Sequence, residues 1–267
     1  MIARLRAPIV LAHGLLGFQR LRVGHVTVST YFRGIQEQLL GAGNRVLAPQ
    51  VPPIAGVELR ARHLGMKIDA AFPGEAVHLV GHSMGGLDAR LLASDPAWHG
   101  RILSVTTIGT PHLGSSLAEF AKLRVGRVYR LLEAFHIDHR GFLDVTPRAS
   151  RAFNARVTVP ASVPCFSIAG RPSEQEVYWP LRRLHAVLSE LEGPNDGLVS
   201  VDSALAFGTA LPDWPLDHLR QMNWFPPQRG EMPATQPVEL YAALVGNLAG
   251  LGFAADDDCD HSLPMSA

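Results

Sequence analysis

Ser83 lies at the centre of Gly81-His82-Ser83-Met84-Gly85, a Gly-x-Ser-x-Gly pattern. The preceding run Ala76-Val77-His78-Leu79-Val80 reads as a buried strand, and the residues from Met84 onward read as a helix. A serine at such a strand–turn–helix junction takes a strained backbone conformation that lifts its hydroxyl above the sheet edge. The flanking glycines let neighbouring chains pack close. A hydroxyl becomes a useful nucleophile only when an imidazole removes its proton and a carboxylate fixes the tautomer of that imidazole. In this setting the chain order is nucleophile, acid, histidine. Of the twelve histidines, only His218 and His261 follow every reasonable acid. His261 belongs to the acidic C-terminal tail, where no rigid element would hold it, so His218 is the predicted base.

The acid is less sharply defined by spacing. Asp196, Asp202, Asp213 and Asp217 all precede His218. Asp217 is adjacent to it, and backbone geometry aims neighbouring side chains apart. Asp196 stands in the turn signal Pro194-Asn195-Asp196-Gly197 ahead of the apolar Leu198-Val199, with Asp202 the next candidate. Negative charge developing on a substrate oxygen needs two preorganised backbone N–H donors. The residue after the nucleophile, Met84, should supply one. The loop His13-Gly14-Leu15-Leu16-Gly17 should supply the other through the amide of Leu15, because Gly14 and Gly17 let that backbone approach the substrate.

These residues need a scaffold, and the pattern around them supplies one. Apolar runs at Pro8–Ala12, Arg45–Val51, Ala76–Val80, Ile102–Ile108 and Pro164–Ile168 alternate with helical patterns at Tyr31–Ala42, Val57–Phe72 and Met84–Ala93. That alternation predicts an α/β fold, a mostly parallel sheet covered by helices on both faces. Pro237–Leu251 is a closing helix. Residues 115–157 break the rhythm: Lys122 to Arg156 contains eight basic and three acidic residues among dense apolar ones. This reads as a helical lid insertion, with an ordinary solvated helical face as the plain alternative. One domain over 1–252 and a flexible acidic tail over 253–267 are expected.

Composition narrows the function. Twenty-four Lys+Arg balance 24 Asp+Glu, which argues against nucleic acid or an anionic membrane as a general partner. No apolar run reaches the length of a membrane span. Pro8 and His13 interrupt the N-terminal apolar stretch, so it reads as a core strand; a cytoplasmic protein is expected, or a secreted one whose leader was removed. Cys165 in a strand and Cys259 in the tail predict no disulfide. No His/Cys/Asp clustering suggests zinc. His112 is expected to brace its loop near Ser83, and Asp88 and Arg90 to pack on the helix that follows.

Several motifs together resemble the true bacterial triacylglycerol lipases of the Pseudomonas and Burkholderia type. They are His13-Gly14-Leu15-Leu16-Gly17-Phe18, Gly81-His82-Ser83-Met84-Gly85-Gly86, Thr110-Pro111-His112-Leu113-Gly114-Ser115 and Asn195-Asp196-Gly197-Leu198-Val199. Tyr31-Phe32-Arg33-Gly34-Ile35 resembles the family's first-helix segment. The resemblance implies an α/β-hydrolase fold with a helical lid, Asp196 as the acid beside Ser83 and His218, and Leu15 and Met84 as oxyanion donors. It implies a serine carboxylester hydrolase acting on lipid or other apolar acyl esters, with the lid touching a lipid interface and no obligate protein partner. A short-chain esterase or polyester hydrolase of the same mechanism is the alternative, as is a non-catalytic ligand-binding relative. The family's calcium ligands fall on Arg220 and Trp224 here, so no cofactor or metal is expected.

Overall fold

In the computed structural model, the described residues are 2–17, 21–23, 26–29, 31–119, 138–224 and 236–255. A six-stranded sheet forms the centre, built from β1 (Ile9–Ala12), β4 (Val46–Leu47), β5 (Val77–His82), β6 (Ile102–Ile108), β7 (Cys165–Ile168) and β8 (Thr209–Ala210). Its order is β4-β1-β5-β6-β7-β8, and every neighbouring pair is parallel. A separate two-stranded antiparallel ribbon, β2 (Leu21–Val23) with β3 (Val26–Ser29), follows β1.

Strand alternation sorts the apolar side chains into two cores. Ile9 and Leu11 of β1 face one side with Val80 of β5 and Ile108 of β6. Helices α1 (Ile35–Gly41) and α8 (Gln236–Leu248) cover that side through Ile35, Leu39, Tyr241, Leu244 and Leu248. Val10, Ala12, Val77, Leu79 and Val105 face the other side, beneath α2 (Val57–Ala71) and α3 (Met84–Ser94), which contribute Leu64, Ile68, Ala89 and Leu92. Both faces of these strands are buried, which is why β1 reads as a continuous apolar run and β5 as one interrupted by His78, Gly81 and His82.

Three boundaries differ from the sequence expectation. The helix expected from Tyr31 starts only at Ile35, because Phe32 and Gly34 hold positive φ angles of 55° and 74°. The strand expected over Arg45–Val51 shortens to Val46–Leu47. The closing helix ends at Leu248 and passes into a wider turn over Ala249–Phe253. Residues 253–255 are tied back to the N-terminal segment, with Arg6 N–H donating to the Phe253 carbonyl and Ala255 N–H to that of Arg4. Within the expected lid, α4 (Gly141–Asp144) and α5 (Pro147–Arg156) are helical, and 120–137 lies outside the described residues, as do Cys259 and His261. Helix α6 (Arg182–Glu192) and the short α7 (Val201–Ala204) follow β7, and Val201 and Ala204 pack with Ala169 and Val199.

Candidate active site

The C-terminal ends of parallel strands leave a crevice where loops converge, and there β5 delivers Ser83. Its φ of 55° and ψ of −132° are costly for a residue with a β-carbon. The surroundings enforce them. A β-carbon on Gly81 would lie 2.5 Å from the Gly85 carbonyl oxygen and Gly86 nitrogen, and one on Gly85 would lie 2.2 Å from the Ala12 carbonyl oxygen. On Gly86 it would meet Thr110 Oγ1 at 2.1 Å, the same hydroxyl that donates to the Ser83 carbonyl at 2.8 Å. Gly81, Gly85 and Gly86 therefore have a steric reason that the motif alone only suggested.

Asp196 and His218 meet. His218 Nδ1 lies 2.8 Å from Asp196 Oδ2, and the His218 backbone N–H donates to the Asp196 carbonyl at 2.9 Å. Asp196 is fully buried. Its Oδ1 accepts the N–H groups of Leu198 and Val199 at 3.0 and 2.8 Å, and its Oδ2 also accepts from Gln221 Nε2 at 2.9 Å. Burial alone would raise the pKa of this carboxyl; the imidazole of His218 and these donors outweigh it, and the net shift is downward. The turn that carries Asp196 is pinned by Asn195, whose Nδ2 donates to the carbonyls of His185 and Gly193 while its Oδ1 accepts Gly197 N–H. The rival acids are elsewhere engaged. Asp202 is exposed on α7. Asp217 points away from the imidazole, accepting the N–H groups of Tyr178, Leu219 and Arg220.

Ser83 and His218 line one cavity of about 350 Å³, together with Leu15, Leu16, Phe142, Leu198 and Met222. The two side chains share this wall without a hydrogen bond to each other. The Gly14 loop lies directly against the serine, and among the described residues neither Leu15 N–H nor Met84 N–H has an acceptor. Arg60 braces this loop from beneath: buried and paired with Asp88 at 2.8 Å, it donates to the carbonyls of His13 and Pro52. Burial raises the Asp88 carboxyl to about 6 against the pull of that guanidinium. His112 is buried between Arg90 Nη1 at 2.9 Å and Thr107 Oγ1 at 3.0 Å, with its pKa well below 6.5 through burial and the Arg90 charge. A neutral imidazole in that position braces its loop.

Three neighbours of the site escape a reading of the sequence. Helical spacing assigns Tyr31 to a helix, His82 enters only as the variable residue of the serine motif, and Gln221 carries no signal at all. They form a buried chain between the Gly14 loop and Asp196.

The calcium ligand set does not fit these residues. Arg220 directs its guanidinium to the Glu176 carbonyl and stands 3.6 Å from Asp217 Oδ2, filling with positive charge the place where a carboxylate would be needed. Among the described residues no group of three or more His, Cys, Asp or Glu is arranged to hold a metal. No helix there is long and apolar enough to cross a membrane.

Comparison with known proteins agrees with this architecture. A family model described as PGAP1-like alpha/beta domain matches residues 62–190. Triacylglycerol lipase 2 of Saccharomyces cerevisiae is 28% identical over 269 residues, covering 81% of this chain and 80% of that protein. A triacylglycerol lipase of Burkholderia plantarii is 35% identical over 128 residues, 45% of this chain and 34% of that protein. The chain thus spans about a third of the length of this bacterial relative. A metagenomic carboxyl esterase structure superposes with a TM-score of 0.73 at 21% identity, covering 91% of this chain and 76% of that one. The α/β-hydrolase fold and the resemblance to bacterial lipases drawn from the motifs are borne out.

Proposed function

We propose that this chain, an α/β-hydrolase similar to triacylglycerol lipases, is a serine carboxylester hydrolase in which Ser83, His218 and Asp196 are nucleophile, base and acid. One observation carries the reading: a serine on a strained elbow shares an apolar cavity with an imidazole whose far nitrogen is held by a buried carboxylate.

The chemistry follows from the geometry. Asp196 accepts the Nδ1–H of His218, which leaves the Nε2 lone pair to receive the Ser83 proton as Oγ bonds to the ester carbonyl carbon. The carbonyl oxygen takes the negative charge, and in this reading the amides of Leu15 and Met84 donate to it. The His218 imidazolium then protonates the departing alcohol, and an acyl-serine remains. Water, deprotonated by the same imidazole, attacks that acyl group and releases the acid. No step needs a metal, and calcium has no part in this proposal.

The leucine-rich cavity favours an apolar acyl group over a charged one, since a charge there would be desolvated without a partner. Lipid or other apolar acyl esters are therefore the proposed substrates. The test is a fluorophosphonate probe. One labelled serine, lost in Ser83→Ala, is expected; a folded wild-type chain that takes no label would move the reading to a binding module.

A further inference from the structure

We propose that Tyr31, His82 and Gln221 are positioning residues, an uncharged relay that locks the Gly14–Leu15 loop and the Asp196–His218 pair into one geometry. The proposal rests on the hydrolase reading for its kinetic meaning, while the relay itself is a statement about the folded chain.

The relay has only one consistent set of hydrogen-bond directions. Asp196 is a carboxylate and can only accept, so the Gln221 side chain must turn its Nε2 toward it, at 2.9 Å. The same nitrogen donates to the Leu216 carbonyl at 3.4 Å. Gln221 Oε1 then faces His82 Nε2 at 3.1 Å and requires a hydrogen on that nitrogen. A neutral His82 protonated on Nε2 leaves a lone pair on Nδ1, which accepts the Tyr31 hydroxyl proton at 2.7 Å. The Tyr31 oxygen in turn accepts Gly14 N–H at 2.8 Å. Each donor meets an acceptor from the loop to the acid.

The surroundings are shaped for this chain. A β-carbon on Gly109 would lie 2.3 Å from Gln221 Oε1, and one on Gly170 would lie 2.1 Å from Gln221 Nε2. The chain just beyond β6 and β7 is thus reduced to glycine where the amide is seated. Tyr31 is nearly buried, and His82 and Gln221 are fully buried. The His82 ring centroid stands 4.6 Å from that of His218. Burial first, and the neighbouring His218 charge second, push its pKa down to about 3. A neutral His82 lets the imidazolium form at His218 without a second cation beside it.

Two measurements on the full chain test the relay. Long-range 15N–1H correlation of the histidine rings between pH 5 and 8 should show His82 neutral and protonated on Nε2 throughout. An Nδ1–H tautomer, or a protonated His82 in that range, would overturn the proposal whether or not the protein is an active hydrolase. In steady-state kinetics with p-nitrophenyl butyrate, Tyr31→Phe and Gln221→Leu should each lower kcat by roughly tenfold or more, since small misplacements of reacting groups can cost up to about a hundredfold. KM should change little. The double variant should lose no more than the worse single variant, because either change breaks the same chain. Multiplying losses would sink the relay, whereas failure of wild-type Ser83 to take the fluorophosphonate label would sink the hydrolase reading alone.

Discussion

Gly14 packs directly against Ser83: a β-carbon at position 14 would lie 2.7 Å from Ser83 Cβ and 3.1 Å from its Oγ. The loop meant to supply an oxyanion donor and the residue meant to attack are therefore in van der Waals contact, and Gly14 N–H is bonded to Tyr31. Gly14→Ala should push the two apart and reduce kcat/KM by roughly a hundredfold, the scale of a lost oxyanion donor. Its melting temperature should fall as well, since the added carbon also lies 2.9 Å from the buried Tyr31 hydroxyl, but less than in Gly85→Ala. Unchanged ester turnover in this variant would contradict the assignment of the loop.

Asp196→Asn keeps the shape of the acid but offers an N–H where His218 needs an acceptor, which favours the wrong imidazole tautomer. A loss of kcat on the order of 10⁴ is expected by analogy with serine triads. Asp202→Asn, at the exposed position of α7, should leave kcat within about twofold, an ordinary surface change. Comparable losses in the two variants would remove Asp196 from its proposed role.

Stability should fall on the acid side. Burial pushes the pKa values of His13 and His78 down to about 4 and of His82 to about 3. The unfolded chain protonates these rings from near 6.5 downward, and the folded chain only near 4 or 3. The unfolded state thus binds more protons across that window, and each ring costs about 1.4 kcal/mol per pH unit as the pH drops through it. Asp88, raised to about 6, acts with the opposite sign: its contribution is present at low pH and is lost as pH rises through 6. His112, also held well below 6.5, adds a fourth histidine of the first kind, and Asp144 and Asp217, raised by burial, join Asp88; the four histidines outweigh the three carboxyls. The urea midpoint should be lower at pH 5 than at pH 8, and a flat or reversed profile would contradict the neutral buried imidazoles.

Two glycines should respond oppositely to alanine. Gly246 lies within α8, where an added β-carbon would meet nothing within 4 Å, so Gly246→Ala should stabilise by about 0.5–1 kcal/mol. Gly85→Ala would drive a β-carbon to 2.2 Å from the Ala12 backbone oxygen and should cost about 3 kcal/mol or prevent folding. Chemical denaturation of both variants checks the contrast.

Chelation should leave the protein unchanged. With Arg220 in the place of a calcium-ligating carboxylate, excess EDTA should not move the melting temperature. A clear drop would show that other residues hold a structural cation.

Much of the scaffold is legible because its physics is local. A strand buried on both faces is mostly apolar even where it hides a polar side chain, as at His78, Ser104 or Ser167, which makes β1, β5, β6 and β7 visible. A helix over a sheet must repeat its apolar residues at helical spacing, which makes α2 and α3 visible nearly to the residue. The two-residue β8 is too short to hold a pattern. Helix α6 does carry helical spacing, in Leu184, Val187, Leu188 and Leu191, but within a stretch rich in charge, and it buries His185 and Leu188. The Tyr31–Gly34 turn is hidden because its strained backbone angles leave no mark on hydrophobic spacing.

The linear chain determined the strand–turn–helix around Ser83, the candidate base His218 and the glycines of the donor loop, since each depends on residues close in sequence. It left Asp196 and Asp202 competing on spacing, because a carboxylate's role depends on what surrounds it. Folding decided between them by burying Asp196 against His218 and leaving Asp202 in solvent. Folding also recruited Gln221, Tyr31 and His82, whose partners lie as many as 139 positions away. Hydrogen bonds of that range are fixed by the packing of the sheet and its loops, and no local pattern encodes them.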